Sequence, residues 1–382
     1  MPLGRRETWI YLTGLLAAAQ MGKMPPLMPL ISPELGLSLL AGAIVISLIE
    51  LGGALFGAPA AGIAARCGEW RTLSLGLALL AAGSLGEALA PTGPWLTAAR
   101  VAESAGYLAV IVSAPVLMAR EAQRLSPGTA LVVWSTFFPA GLGLGTVLSG
   151  ALAAPLGWRG VLLFWALAGA ALWLCAPRLR SDARPTAPIT AFRPSGASLV
   201  LAAGFGGFTC FHVGLLALMP EFLISKKGAT PGLAGLVTGL GGFLTIAGIA
   251  LPLWLSRRYP LRFSLPLLTL GLLLPAVLLF GIFHPATSPG TSAALFLALN
   301  LLAGLFPPLA FGSIPRYAGP GGLGPANGAL AQAGAAGSLL GPPAYAAVVS
   351  HAGWLSAAGF GLALSLVPLL LLSALEARSP PR

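Results

Sequence analysis

Four ionisable side chains interrupt long apolar stretches in the first third of the sequence, and they are the residues best suited to chemistry. They are Lys23, Glu50, Arg100 and Glu103. A carboxyl group in an apolar setting can take up and release a proton, and a lysine or arginine there can bind an anion. Arg100 and Glu103 are three residues apart, which places them on one face of a helix, and Tyr107 follows one turn later.

The amino-acid composition indicates that these residues belong to a protein surrounded mostly by lipid. Of 382 residues, 57% are hydrophobic and 8% are charged, and the mean hydropathy is +0.89. Soluble domains carry about 25% charged residues, so a soluble fold would lack polar surface here. The net charge of +11 does not indicate a nucleic-acid partner, because no run of Lys and Arg exceeds two residues and basic residues collect in the cytoplasmic loops of membrane proteins.

Twelve apolar segments are long enough to cross a bilayer, which takes about 20 residues each. A polar, Pro-rich stretch at 178–197 separates the sixth from the seventh. We therefore predict an all-α membrane protein with twelve transmembrane helices in two pseudo-symmetric six-helix halves, residues 1–177 and 198–382, joined by a cytoplasmic linker. The predicted spans are 8–31, 39–65, 70–90, 95–118, 129–154, 158–177, 198–223, 231–255, 262–283, 291–314, 325–350 and 354–375.

The basic residues predict the orientation of these spans. With the N-terminus inside, sixteen of the twenty-one Lys and Arg residues fall in inner segments and three in outer loops, which is a strong positive-inside pattern. We expect a multi-pass protein of a bacterial cytoplasmic (inner) membrane, with both termini in the cytoplasm.

The second half of the sequence repeats features of the first. LMP at 27–29 returns 191 residues later at 218–220. A parallel repeat of this kind predicts a substrate site between the halves, near the membrane midplane. Further matches at this offset, or within a few residues of it, are Gly57 with Gly248, Arg66 with Arg257, Gly150 with Gly341, and Gly157-Trp158 with Gly353-Trp354.

Depth estimates bring three of the charged residues together. With a rise of about 1.5 Å per residue, Lys23 lies roughly 9 Å below the outer boundary, and Arg100 and Glu103 lie about 8 and 12 Å below it. We predict a cluster with Glu103 between two cations, serving substrate binding or proton coupling. One alternative is an ion network that only braces the helices, and another is a lysine that reaches back to the surface. Lys23 is not part of the repeat, because Gly214 stands at its paired position.

Glu50 is a single acid near the midplane, within AIVISLIELGGALFG. An acid at that depth is suited to carrying a proton, so we predict that Glu50 or Glu103 couples proton movement to transport. The alternative for Glu50 is a neutral acid that is hydrogen-bonded in helix packing.

Six uncharged residues complete the predicted substrate-binding set with Lys23 and Arg100. Each has the alternative of serving only in helix packing. They are Tyr107, Trp134, His212, Asn300, Asn327 and Gln332.

A methionine stripe raises the possibility of a Cu(I) site, because soft ligands select that ion. Lys23 lies within the stripe and would repel a cation, and methionine is also a common apolar filler. We therefore predict no metal and no cofactor. The stripe is Met21, Met24 and Met28, with Cys210, His212 and Met219 expected opposite.

Twelve spans in two sixes resemble the major facilitator superfamily, and several motifs support the resemblance. The stretch GIAARCGEWR at 62–71 resembles the loop motif of that family, with Ala65 in place of its Asp and Glu69 in place of a base. The family uses this loop to latch one conformation. RVAESAG at 100–106 is similar to its fourth span, and PAGLGLGTVLSG followed by GWR to its fifth. The matching residues of the gating loop are Gly62, Arg66, Gly68 and Arg71.

The resemblance implies a secondary transporter that works by alternating access, and a family of this breadth does not identify the substrate. We expect proton coupling and, from the two buried cations, a small organic anion or zwitterion as substrate. Efflux of a lipophilic compound and uptake of Cu(I) are the alternatives. We expect a monomer in the lipid bilayer and no enzyme, because the chain has no GxxxxGK[ST] loop and no recognisable catalytic constellation.

Overall fold

The computed structural model describes residues 4–121, 130, 133–134, 136–176, 194–256, 264–318 and 323–378. Every regular element in these ranges is helical, as predicted. A 3₁₀ turn at Leu48–Glu50 and a π-helix at Thr269–Leu273 interrupt the α-helices. The α-helices are α1 (Arg5–Gly22), α2 (Met28–Leu35), α3 (Leu39–Ser47), α4 (Leu51–Cys67), α5 (Glu69–Ala88), α6 (Gly93–Arg120), α7 (Phe137–Leu174), α8 (Gly196–Lys227), α9 (Pro231–Ser256), α10 (Leu265–Leu268), α11 (Leu274–Phe283), α12 (Pro289–Ala303), α13 (Phe306–Gly312), α14 (Ile314–Tyr317), α15 (Leu323–Ala352) and α16 (Trp354–Ala377).

Eight segments of the described chain are long and apolar enough to cross a membrane. One of them, α7, covers most of the fifth and sixth predicted spans, which lie on either side of Gly157, where the backbone turns with φ of 64°. Predicted spans one, three and eleven are helical but fall outside the eight. Span one is split into α1 and α2, span three carries charged residues, and span eleven is rich in Gly, Ala and Pro. The count of twelve remains a prediction. The eight segments are Leu39–Gly57, Gly93–Arg120, Phe137–Leu174, Gly196–Lys227, Pro231–Ala250, Pro266–Phe283, Pro289–Gly312 and Trp354–Ala377.

The first predicted span breaks at Lys23. Helix α1 ends at Gly22, and α2 begins at Met28. The turn between them contains Pro25 and Pro26, which cannot donate the backbone hydrogen bonds that would continue α1. The break turns Lys23 into the bundle, where its side chain is completely buried. The lysine therefore does not reach back to the surface.

Two helix pairs pack in an equivalent way in the two predicted halves. A Cβ added to Gly145 of α7 would lie 2.4 Å from the carbonyl oxygen of Ala19 in α1. A Cβ added to Gly341 of α15 would lie 2.3 Å from the carbonyl oxygen of Cys210 in α8. The equivalent contact makes Gly145 the counterpart of Gly341, so the sequence match of Gly341 with Gly150 is wrong by five residues.

With this correction, paired residues of the two halves are separated by one of two distances along the sequence. Ala19 and Cys210 are 191 residues apart, whereas Gly145 and Gly341 are 196 residues apart. Gly157 and Gly353 share the longer offset, and both turn the chain with positive φ, 64° and 80°. The second half therefore has five extra residues between the two sets of matches.

We expect Gly145→Ala to lower the thermal midpoint of the detergent-solubilised protein by several degrees. Its methyl group would meet the backbone of Ala19, and overpacking of this kind costs about 1–3 kcal/mol. Gly359→Ala is the matched control, because an added Cβ there has no neighbour within 4 Å in the described structure. Equal thermal midpoints for the two variants would contradict the close contact of α1 with α7.

A polar clamp closes the predicted outer end of the first half. Trp158 Nε1 donates to Glu34 Oε2 at 2.6 Å, and Arg159 pairs with the other oxygen of Glu34. The Arg159 guanidinium also lies 3.9 Å from the centre of the Trp158 ring and donates to the Ala90 carbonyl at 3.1 Å. The hydrogen bonds from Trp158 and Arg159 hold the pKa of Glu34 below its usual value. The clamp ties α2 to α7 and to the chain after α5.

Candidate functional site

Lys23 lies against two acids inside the predicted first half. Its Nζ is 2.6 Å from Glu87 Oε2, 2.6 Å from Glu103 Oε1 and 2.6 Å from Ser84 Oγ. None of the three charged side chains is exposed. The break after α1 thus lets one ammonium join α5, which carries Ser84 and Glu87, to α6, which carries Glu103.

Arg100 completes this cluster from α6. Its Nη1 lies 2.5 Å from Glu103 Oε2 and 3.5 Å from Glu87 Oε1, and its side chain is fully buried. Glu103 therefore lies between the two cations, in the arrangement expected from the depth estimates. With two cations and two carboxylates, these four groups have no net formal charge. We call Lys23, Glu87, Arg100 and Glu103 the charge quartet.

Arg100 also satisfies backbone groups at a helix break. Its Nε donates to Val45 O at 3.2 Å, and its Nη2 donates to Ile46 O at 3.2 Å. These carbonyls lie at the end of α3, just before the 3₁₀ turn at Leu48–Glu50. The last carbonyls of a helix lack intrahelical partners, so the guanidinium stabilises the interruption that precedes Glu50.

Glu50 lies apart from the quartet and has a simpler environment. It is 5% exposed, and its Oε1 accepts a hydrogen bond from Tyr107 Oη at 3.1 Å. A Cβ added to Gly53 would lie 3.4 Å from Glu50 Oε2 and 3.0 Å from Ala335 Cβ of α15. Glu50 is therefore close to the packing surface between α4 and α15, which belong to different predicted halves.

His212 and Asn300 meet in the predicted second half. His212 Nε2 lies 3.0 Å from Asn300 Oδ1, which joins α8 to α12. The Phe208 ring stacks on the imidazole with 5.4 Å between ring centres and 17° between planes. Both residues of the pair are buried, at 6% and 0% exposure. The two sequence candidates thus form one polar contact in an aromatic setting.

Three other predicted substrate residues lie away from these contacts. Trp134 is buried and stacks on Phe137 at 4.3 Å between ring centres. Gln332 of α15 donates to the Ala54 carbonyl of α4 at 2.9 Å, so it bridges the predicted halves. Asn327 is exposed in the first turn of α15. Their predicted role in substrate binding rests on the sequence.

The gating loop joins α4 to α5. Gly68 is buried and has φ of 94°, whereas Arg66 and Arg71 are exposed. Glu69, which replaces a base of the family motif, lies 3.3 Å from Arg120 Nη1 at the end of α6. Gly62 lies in α4, one turn before Arg66. The loop therefore has an ion pair to α6 although Ala65 lacks the carboxylate of the family.

The sequence analysis did not identify Glu87, so it did not predict that the charges of the quartet balance. Glu87 lies three residues before the end of the predicted third span, where an acid could reach water. Charge balance was the signal that could have found it, because two cations buried at one depth need two acids. Ser84 was also missed. Its hydroxyl oxygen lies 2.8 Å from Glu103 Oε1 and 3.0 Å from Gln20 Oε1, and its one hydrogen is donated to one of these two acceptors.

A large cleft lies beside the start of α1, and none of these candidates lines it. It has a volume of about 780 Å³ and is bounded by Arg5, Arg6, Trp9, Glu121 and Cys175, among others. A second cavity of about 20 Å³ lies between α2, α3 and α8, with Glu221 at its edge. The charge quartet, Glu50, His212 and Asn300 are buried in the conformation that the structure describes.

A bundle of apolar helices with ionisable and polar groups buried inside it is the architecture of a membrane transport protein. The profile of the Major Facilitator Superfamily matches residues 10–342. The chain belongs to this superfamily of transporters, which confirms the resemblance drawn from the sequence and the predicted all-α fold.

A curated relative and two solved structures are similar to the chain. The multidrug resistance protein Stp of Mycobacterium tuberculosis is 26% identical over 299 residues, which cover 60% of this chain and 55% of that protein. The chain thus spans about half the length of this relative. A bacterial homologue of the human lysosomal transporter Spinster has the same fold. Its inward-facing, occupied structure gives a TM-score of 0.74 at 18% identity and covers 97% of this chain and 94% of its own. Its unoccupied structure gives 0.69 at 19% identity, with coverage of 98% and 96%.

Proposed function

We propose that this transporter couples the movement of a lipophilic compound to protons and that Glu50 carries the proton. The observation that supports this is the position of Glu50. It is a buried acid with one hydrogen-bond partner among the described residues, next to the contact between α4 and α15. An acid at such a contact can change its surroundings when the two helices move apart, which is what coupling requires.

The charge quartet argues against an anionic substrate. Lys23 and Arg100 were the reason to expect an anion, but both cations are matched by Glu87 and Glu103 and have no exposed surface. An anion that bound either cation would have to displace a carboxylate. The buried polar side chains described after residue 194 are uncharged, which favours a lipophilic substrate. The relative named as a multidrug resistance protein is consistent with this choice.

We further propose that the two halves alternate around a seam between α7 and α9. A Cβ added to Gly143 would lie 2.8 Å from the Gly239 carbonyl, and one added to Gly150 would lie 2.7 Å from the Pro231 carbonyl. Backbones this close leave no passage along the seam. Together with the 20 Å³ cavity between α2, α3 and α8, the seam supports a state that is closed at the predicted outer end.

Transport by proteoliposomes with an imposed pH gradient tests the proposal. We expect the lipophilic dye Nile red to move in response to the gradient and to stop when a protonophore collapses it. Radiolabelled benzoate serves as the anionic comparison. Gradient-driven movement of benzoate but not of Nile red would reinstate the organic anion, and movement of neither probe would contradict the proposal.

We expect Gly239→Ala to reduce Nile red transport several-fold. The new methyl group would lie 2.4 Å from Val147 Cγ2 and 2.6 Å from the Gly143 carbonyl, so the seam could not close fully. Gly232→Ala is the matched control on the same helix, because its nearest neighbour across the seam is the Gly150 carbonyl at 3.7 Å. Equal rates for the two variants would show that transport does not require a closed seam.

A further inference from the structure

The hydrogen bonds of Asn300 determine which nitrogen of His212 carries its proton. Asn300 Nδ2 donates to the Phe296 carbonyl at 2.8 Å, one turn earlier on α12. An amide nitrogen can only donate, so this bond fixes the amide orientation and leaves Oδ1 facing His212 Nε2 at 3.0 Å. Because Oδ1 only accepts, Nε2 must carry the hydrogen.

The other ring nitrogen of His212 is then a free acceptor. In a neutral imidazole with Nε2 protonated, Nδ1 carries a lone pair. Within the described residues Nδ1 has no hydrogen-bond partner. His351 provides the contrast, because its Nδ1 lies 2.7 Å from the Ala347 carbonyl of its own helix. The 6% exposure of His212 leaves a small opening to the ring, so this lone pair is open to a donor from outside the described side chains.

A buried polar group without a partner among the described residues lies on the helix that packs against Asn300. Thr238 of α9 is 1% exposed, and its hydroxyl has no partner in the part of the chain that the structure describes. It precedes Gly241 by three residues, which places both on one face of the helix. A Cβ added to Gly241 would lie 2.9 Å from Asn300 Nδ2, so this face is directed towards Asn300.

The surroundings of His212 suit an uncharged partner. Phe208 covers one face of the ring. All described Lys, Arg, Asp and Glu side chains that are buried lie between Glu7 and Glu103, in the other predicted half. An ammonium group that donated to His212 would therefore meet no buried counter-charge and would lose its hydration without compensation. A hydroxyl or an amide N–H would not carry that cost.

We propose that His212 Nδ1 accepts a hydrogen bond from a neutral hydroxyl or N–H group of the transported compound. Asn300 is a positioning residue that holds the imidazole in the accepting tautomer. The inference rests on the proposed function in naming the ligand as the transported compound. It predicts that apolar molecules with one neutral donor bind more tightly than apolar molecules without a donor, such as Nile red.

A pair of matched probes tests the donor requirement. We expect the purified protein to bind 1-naphthol about tenfold more tightly than 1-methoxynaphthalene in equilibrium titrations, the ratio that one net hydrogen bond gives. In His212→Phe the ratio should fall to about one, whereas His351→Phe should keep it. Lack of 1-naphthol binding, or an unchanged ratio in His212→Phe, would overturn the proposal.

Nitrogen NMR of protein labelled at histidine tests the tautomer without any ligand. We expect the signals that disappear in His212→Phe to show a neutral ring protonated at Nε2, and Asn300→Leu to mix the two tautomers. A ring protonated at Nδ1 would overturn the proposal. Neither experiment depends on transport, so a failure of proton coupling at Glu50 would leave these results unchanged. A failure of the His212 proposal would likewise leave the test of Glu50 unchanged.

Discussion

Glu50→Gln is expected to abolish transport driven by a pH gradient while the protein stays folded. Glutamine has the same shape as glutamic acid, and its amide oxygen can still accept the hydrogen bond from Tyr107 Oη. It cannot bind and release a proton, so the coupling step is lost and the packing is retained. The measurement is Nile red movement in proteoliposomes, with and without the gradient.

Two further variants test whether the loss of transport is specific to the Glu50 carboxyl group. Glu34→Gln changes an acid of the outer clamp, outside the predicted spans, and should keep gradient-driven transport. Tyr107→Phe removes the partner of Glu50 and should shift the pH dependence of transport without abolishing it. Full gradient-driven transport by Glu50→Gln would instead make Glu50 a packing acid, which was the alternative left open by the sequence.

The second acid predicted to couple protons, Glu103, has a different environment. It faces Lys23 at 2.6 Å and Arg100 at 2.5 Å, and its Oε1 lies 2.8 Å from Ser84 Oγ. These contacts hold α6 against α5 and against the chain break that follows α1. Glu103→Gln should therefore affect folding before it affects coupling, which distinguishes it from Glu50→Gln.

The sequence could predict the charged cluster because depth follows from counting residues along regular helices. Lys23, Arg100 and Glu103 were expected at similar depths, and the structure brings them into contact. The partner of Tyr107 could not be predicted in this way. Spacing placed it on the face of Arg100 and Glu103, but its hydroxyl reaches Glu50 on another helix.

The break in the second predicted span explains this difference. The run AIVISLIELGG contains no proline, and its glycine pair at 52–53 comes after the 3₁₀ turn at Leu48–Glu50, so the sequence does not mark the turn itself. Arg100 stabilises the interruption from a different helix, because it donates hydrogen bonds to the carbonyls of Val45 and Ile46. Tertiary contacts of this kind cannot be derived from the local sequence, and they place Glu50 within reach of Tyr107.

Replacing Lys23 is expected to have the second large effect, on the stability of the folded protein. Lys23→Met is expected to destabilise the folded protein by about 3–5 kcal/mol, because it leaves Glu87 and Glu103 buried with Arg100 as their only cation among the described residues. Thermal unfolding in detergent would show this as a much lower midpoint. A small change would mean that the quartet is hydrated in the membrane or that water replaces the ammonium.

The double variant Lys23→Met/Glu87→Gln separates bracing from substrate binding. It removes one charge of each sign, so the quartet becomes a neutral pair of Arg100 with Glu103, and much of the lost stability should return. If Lys23 only braces α1 against α5 and α6, the double variant should also regain Nile red transport. A double variant that is stable but inactive would show that the ammonium or the Glu87 carboxylate acts in transport itself. Lys23→Met/Glu34→Gln is the control pair, because Glu34 contacts Trp158 and Arg159 and not the quartet, and it should recover neither stability nor transport.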